Sequence, residues 1–155
     1  MQVETAKEGM IAELIARYRA ATNRDVAFDK LAAARLGVSV SDLHCLNIAE
    51  SRHGVTAGEL AAESGLTTGA VTAVVDRLER AGMARRVADP SDRRRVRIEP
   101  TPKLWELTAP LMGPFLEESS KILDDFSTEE LERFAAFLQR VIDVQGKYTQ
   151  RIREM

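Results

Sequence analysis

Between Thr56 and Pro100 the hydrophobic period switches from three-to-four residues to two, and a punctuating residue stands at each switch. "TAGE" at 56–59 is a capping box: Thr56 can accept from the amide of Glu59 while the Glu59 carboxylate reaches back to Thr56. The short helix it opens, "AGELAAES", stops at Gly65. "LTTGAVTAVVDRLERAG" gives a second helix, with Val71, Val74, Val75 and Leu78 on one face and Gly82 as its stop. Two short helices joined at "SGLT" make a helix-turn-helix pattern. Behind Gly82, "MARRVA" and "RVRIE" alternate like strands around the turn-forming "DPSDR". A helix-turn-helix followed directly by a two-stranded hairpin reads as a winged helix.

The flanks are helical. Residues 4–36 carry Met10, Ile11, Leu14, Ile15 and Tyr18 at helical spacing, with the polar "TNRD" at 22–25 as a candidate break or bend and Gly37 as the stop. Ser39 or Ser41 caps a second helix carrying Leu43, Leu46 and Ala49, which ends near "RHG". After the hairpin, Thr101 and Pro102 read as an N-cap and first helical residue, and Pro110 and "GP" at 113–114 as an interruption or kink. "STEE" at 127–130 is a second capping box, opening a last helix to about residue 152 with Leu131, Phe134, Leu138, Val141 and Ile142 on one side.

The expected fold is mainly α with a small β-hairpin: a winged helix-turn-helix core at 38–100 between helices at 1–37 and 101–155 that form a dimerisation domain. The terminal helices have more apolar face than the winged helix can cover, and a second copy is the economical cover.

Charge is unevenly placed. The chain has 155 residues and a formal charge of -2, yet residues 66–98 hold eight arginines against four acids. Three of those arginines, Arg93, Arg94 and Arg95, are consecutive. A local basic segment in an acidic chain points to a polyanionic partner, because the local field and not the net sum meets it.

The helix at 68–81 turns Thr68, Gly69, Thr72, Ala73, Asp76, Arg77 and Arg80 away from its apolar face. Small polar residues at its N-terminal turn suit close approach to base edges, and Arg77 would reach the sugar-phosphate backbone. On the hairpin, Val96 and Ile98 are expected inward and Arg95 and Arg97 outward, with Arg93 and Arg94 at the tip. Like charges crowded on one turn repel unless neutralised, and the minor groove of a duplex accepts inserted arginine. Asp92 can hold a neighbouring arginine in a bidentate pair.

Enzymatic chemistry finds no footing. There is no Gly-rich phosphate loop, no His-Glu metal spacing and no nucleophile-base pairing, so no catalytic residue, metal or cofactor is expected. The acidic pairs at 117, 124 and 129 read as solvated faces or helix-start charges. One Cys and two His do not make a zinc set. Cys45, between His44 and Leu46, reads as a small buried hydrophobe; the sharper alternative is a redox-sensing thiol, which requires an exposed site of low pKa. "MQVETAKEGM" lacks a basic stretch followed by an apolar one, and no apolar run is long enough for a bilayer, so a cytoplasmic, nucleoid-associated protein without membrane contact is expected.

"VTAGELAAESGLTTGAVTAVVDRLERAGMARRVADPSDRRRVRI", residues 55–98, resembles the MarR (multiple antibiotic resistance regulator) family of bacterial transcriptional regulators. The capped helix, "VDRLERAG" and "DPSDRR" carry the likeness. It implies a homodimer with intertwined terminal helices, bound to a pseudo-palindromic operator, usually as a repressor. It implies reading-helix contacts at Thr67, Thr68, Gly69, Thr72 and Arg77, an Asp92–Arg94 pair on the wing, and Arg93 or Arg95 near phosphate. It also implies release by a small aromatic or phenolic compound in a cleft between the dimer helices and the winged helix. Phe28, Leu31, His44 and Trp105 are the candidate lining, chosen because they should fall where those parts meet, with a core position as the plainer reading of each. After the wing the chain reads "EPTPKLWEL" where many members have Leu-Thr-x-x-Gly. The alternative function is a winged-helix protein-interaction module without specific DNA binding, or a redox sensor through Cys45.

Overall fold

The computed structural model describes the backbone of residues 2–90, 92 and 94–155, and side chains from Thr5 onward, with the same two gaps. Nine elements follow in order among them: α1 (Gln2–Leu36), α2 (Val40–Ser51), β1 (Val55–Thr56), α3 (Ala57–Ser64), α4 (Thr68–Arg80), β2 (Ala84–Ala88), β3 (Val96–Pro100), α5 (Pro102–Leu123) and α6 (Thr128–Arg153). The chain is mainly α with one small antiparallel sheet, as its periodicity predicts. Two compact units divide it, residues 1–111 and 112–155.

Local signals set most element ends. Ser39, not Ser41, caps α2, and it does so in a capping box with Asp42. Thr56 with Glu59 opens α3, and Ser127 with Glu130 opens α6. Gly65 closes α3 in the left-handed region at φ 76°, which an L side chain adopts only with strain. Thr67 caps α4 by accepting from the Ala70 amide.

Two segments read as a break or bend, and as an interruption or kink, lie inside continuous helices. α1 passes through "TNRD" because the Thr22 hydroxyl bonds back into the helix, donating to the carbonyls of Tyr18 and Arg19 at 3.2 and 3.0 Å. α5 passes through Pro110 and Pro114. These lie four residues apart, so both missing amides fall in one row of the helix.

The sheet runs β1-β3-β2. The two-residue strand β1 was not expected; it is too short to show alternation. It pairs Val55 with Ile98 and Thr56 with Arg97, while β2 pairs along β3 from Ala84–Pro100 to Ala88–Val96. The core of the first unit gathers Cys45, Leu46 and Ala49 of α2, Leu60 of α3, and Val71, Val74, Val75 and Leu78 of α4. Val55, Ala84 and Ile98 of the sheet, Met83 just before β2 and Leu104 of α5 close it. Burying one such aliphatic side chain contributes about 1.5–3 kcal/mol, so this cluster is what fixes α4 against α2, α3 and the sheet.

Ile98 faces this core, but Val96, expected beside it, is 50% exposed. The face is right by period, yet the helices end before the last strand pair, Ala88–Val96, is covered. At the other side, Gly54 sits at φ 100°, and a Cβ there would come within 2.9 Å of Glu99 Cγ. The tight turn from α2 into β1 therefore requires glycine on both counts.

Candidate nucleic-acid interface

The exposed face of α4 begins with Thr67, Thr68, Gly69 and Thr72. The Thr67 hydroxyl accepts from Ala70 N at 3.2 Å and can still donate outward. Thr72 donates to the Thr68 carbonyl at 3.0 Å, which turns its methyl away from that bond. A Cβ on Gly69 would meet nothing within 4 Å, so packing does not demand a glycine there. A helical glycine costs about 1 kcal/mol against alanine, and here it leaves that one position of the first turn of α4 without a side chain.

The eight arginines of residues 66–98 separate into two groups. Five are held within the protein. Arg77 reaches from α4 to the Asp42 carboxylate on α2, with Nη2–Oδ1 at 2.6 Å and Nε–Oδ2 at 3.3 Å. Arg80 donates to the Asp76 carbonyl at 3.1 Å, and Arg85 pairs with Glu99 at 3.2 Å. Arg86 pairs with Asp76 at 2.8 Å and with Glu79. Arg97, expected to point outward, instead donates to the carbonyls of His53 and Gly54 at 3.0 and 2.7 Å. It clasps the turn that Gly54 makes.

The second group sits on the hairpin tip. Arg94 and Arg95 are exposed, and neither guanidinium makes a hydrogen bond or ion pair with a described residue. Arg93 lies outside the described residues. The turn itself is built on Asp92: its carboxylate Oδ1 accepts from the Arg94 amide at 3.0 Å, and its carbonyl from the Arg95 amide at 2.8 Å. The Asp89 amide donates to the Arg95 carbonyl at 2.9 Å. The expected Asp92–Arg94 pairing thus runs to the Arg94 backbone and not to its guanidinium, because an Asp two residues ahead reaches the amide with less ordering. The turn holds its shape through bonds to its backbone and leaves the Arg94 and Arg95 guanidinium groups without a hydrogen-bond partner among the described residues.

Asp42, which completes the capping box of α2, is the partner of Arg77. Burial alone would push its carboxyl up; the Arg77 fork and the Ser39 amide outweigh that and hold it below the ordinary value of 3.8. Arg86 gains from its carboxylate partners, Asp76 first, and its pKa is raised.

Cys45 lies in the core at 1% exposure. Burial pushes its thiol above the ordinary value of 9.0, against a hydrogen bond with Ser64. The exposed, low-pKa site that a redox sensor needs is not there, so the alternative reading through Cys45 fails.

Of the candidate ligand residues, Trp105 lines a cavity of about 460 Å³ with Glu50, His53, Arg85, Glu99, Pro100 and Pro102. Its indole donates to Glu50 at 2.9 Å. Phe28 is half-buried on α1, Leu31 is 74% exposed and His44 is exposed on α2. Neither Leu31 nor His44 is a core residue, since each lies on the side of its helix turned from the core cluster. Among the described residues no group of His, Cys, Asp and Glu could hold a metal ion, and no helix is long and apolar enough to cross a membrane.

A helix-turn-helix whose second helix runs into a cation-tipped hairpin defines a winged helix-turn-helix protein. Residues 38–96 match the MarR family. The chain is 33% identical over 154 residues to YcgE of Bacillus subtilis (strain 168), an uncharacterized HTH-type transcriptional regulator, covering 99% of this chain and 100% of that one. Its fold is similar to that of a MepR mutant from a multidrug resistant S. aureus clinical isolate, with a TM-score of 0.68, 20% identity and 85% and 96% of the two chains covered. A second S. aureus MepR mutant, bound to an oligodeoxyribonucleotide, is similar with a TM-score of 0.54, 21% identity and coverage of 85% and 97%. The chain belongs to the MarR family, and it is a transcriptional regulator of that family.

Proposed function

We propose that this regulator is a homodimeric repressor that binds a pseudo-palindromic operator. The observation that carries the reading is the division of the arginines: five of those in 66–98 have internal partners, while Arg94 and Arg95 stand exposed without one among the described residues. Thr67, Thr68, Gly69 and Thr72 read base edges in the major groove, and Arg77 reaches phosphate. Asp92 shapes the wing turn, Arg94 enters the minor groove and Arg95 meets the backbone beside it. The structure of MepR with an oligodeoxyribonucleotide supports DNA as the partner of this fold.

Dimerisation through 1–37 and 101–155 is supported by unpartnered apolar faces. Met10, Ile11, Leu14 and Ile15 of α1 are exposed, as are Phe134, Phe137, Leu138 and Ile142 of α6. A second copy covers such faces, and sets two reading helices about one helical turn, roughly 10 bp, apart. A small aromatic or phenolic ligand taken up beside Trp105 shifts that spacing and releases the DNA.

A gel shift with the DNA flanking the protein's own gene tests the reading. A specific retarded complex at moderate salt is expected, with derepression of a reporter on deletion of the protein. Absence of any specific shift would transfer the fold to the alternative, a protein-interaction module.

A further inference from the structure

We propose that Asp42 is a positioning residue for DNA recognition: from α2 it grips one edge of the Arg77 guanidinium and so presents the other edge as a preformed fork for a single backbone phosphate. The inference rests on the DNA-binding function proposed above. It assigns to a residue outside the reading helix and the wing a part in how the duplex is held.

The geometry is specific. Asp42 is the third residue of α2, and its side chain is only 5% exposed. Its Oδ2 accepts from the Ser39 amide at 3.1 Å, which fixes the carboxylate from its own helix. Arg77 then meets it with Nε and Nη2, the two nitrogens of one guanidinium edge. A guanidinium is planar and has a second two-nitrogen edge, formed by Nη1 and Nη2. Nη1 bonds to no described residue, and 45% of the side chain is exposed. The carboxylate is buried behind the cation, so an approaching phosphate meets nitrogen and not oxygen.

Two neighbours contrast with Arg77. Arg86 spends Nη1 on Glu79 and Nη2 on Asp76, and Arg97 spends Nη2 on two carbonyls. Neither retains the outer edge whole. The Arg94 and Arg95 guanidinium groups make no hydrogen bond to a described residue, and must lose side-chain freedom on binding. Arg77 has already lost its freedom on folding, so a phosphate contact there needs little further ordering. Bidentate contact to phosphate requires that planar fork, which lysine lacks.

The test is fluorescence anisotropy of the full chain with a labelled duplex from the DNA flanking its own gene, and with a scrambled duplex of equal length. The proteins are wild type, Arg77→Ala, Arg77→Lys, Asp42→Asn and the Asp42→Asn/Arg77→Ala double variant. Arg77→Ala is expected to weaken binding about tenfold and lower the salt slope by about 1. Arg77→Lys should be nearly as weak, although it keeps the charge. Asp42→Asn should weaken binding several-fold alone and add nothing in the Arg77→Ala background. Equal losses from Asp42→Asn in both backgrounds would make Asp42 merely structural and overturn the proposal. Wild-type affinity in Arg77→Lys would overturn it too, because charge alone would then suffice. If circular dichroism shows Asp42→Asn unfolded, the comparison of Arg77→Lys with Arg77→Ala decides. A wild-type protein that binds neither duplex overturns the functional reading itself, whereas wild-type binding with no loss in Arg77→Ala overturns only this inference.

Discussion

Arg86 of β2 is joined to Asp76 of α4 at 2.8 Å, and its own backbone amide donates to Glu79 of the same helix at 2.9 Å. The wing is therefore keyed to the reading helix by side chains as well as by the turn at Gly82. Arg86→Ala leaves Asp76 and Glu79 as like charges on one helix face without their cation. Water screens all three groups, so the loss should be about 1 kcal/mol, a fall in Tm of roughly 2–4 °C. DNA affinity should fall further than stability does, because the wing then moves against α4. Calorimetry and anisotropy on the same sample check both; a variant as stable and as tight as wild type would show that the backbone alone keys the wing.

Acid should remove the Asp42 contribution to stability. The carboxyl lies below its ordinary 3.8 in the folded chain. A depressed folded pKa gives stability that is complete above the unfolded value and is lost as pH falls through the folded one. The stability gap between wild type and Asp42→Asn should thus be constant above about pH 5 and close on further acidification. Denaturant melts across that range measure it. A gap independent of pH would mean that the carboxylate charge plays no part.

Cys45 should be inert in the native state. Its thiol is in the core and its pKa is raised, so both access and thiolate are scarce. Reaction with a disulfide reagent at neutral pH should be at least about a hundredfold slower than in denaturant, limited by opening of the core. Dilute peroxide should leave DNA affinity unchanged. Rapid native labelling would contradict the position of α2.

Arg94→Ala should weaken binding to the gene-flanking duplex and lower the salt slope by about 1. Thermal stability should not change, since the Arg94 guanidinium has no partner among the described residues. Affinity and slope that both survive would rule out the wing as a DNA contact.

Much of this protein was legible from residues no more than four apart. Thr56 with Glu59, Ser127 with Glu130, the glycine stops and the "DPSDR" turn each act through one helical turn or one hairpin tip, so sequence order is already spatial order. The same locality explains why the apolar face of α4 was read correctly, and why β1, which exists only by pairing with β3, was not. "TNRD" does not end α1, because a threonine hydroxyl can serve a helix as well as end one.

The state of each arginine was decided by the tertiary structure. Arg77 and Asp42 are 35 positions apart, and Arg97 and His53 are 44. In the chain, the arginines of 66–98 are chemically alike, and their shared charge announces only a polyanion. Once folded, four meet acceptors on other elements, Arg80 meets the Asp76 carbonyl of its own helix, and Arg94 and Arg95 meet none among the described residues. An ion pair depends on distance in space, which chain order does not supply beyond the next turn. Sequence thus determined that this is a basic winged helix; the packing of α2, α4 and the sheet decided which of its cations are tied down within the fold.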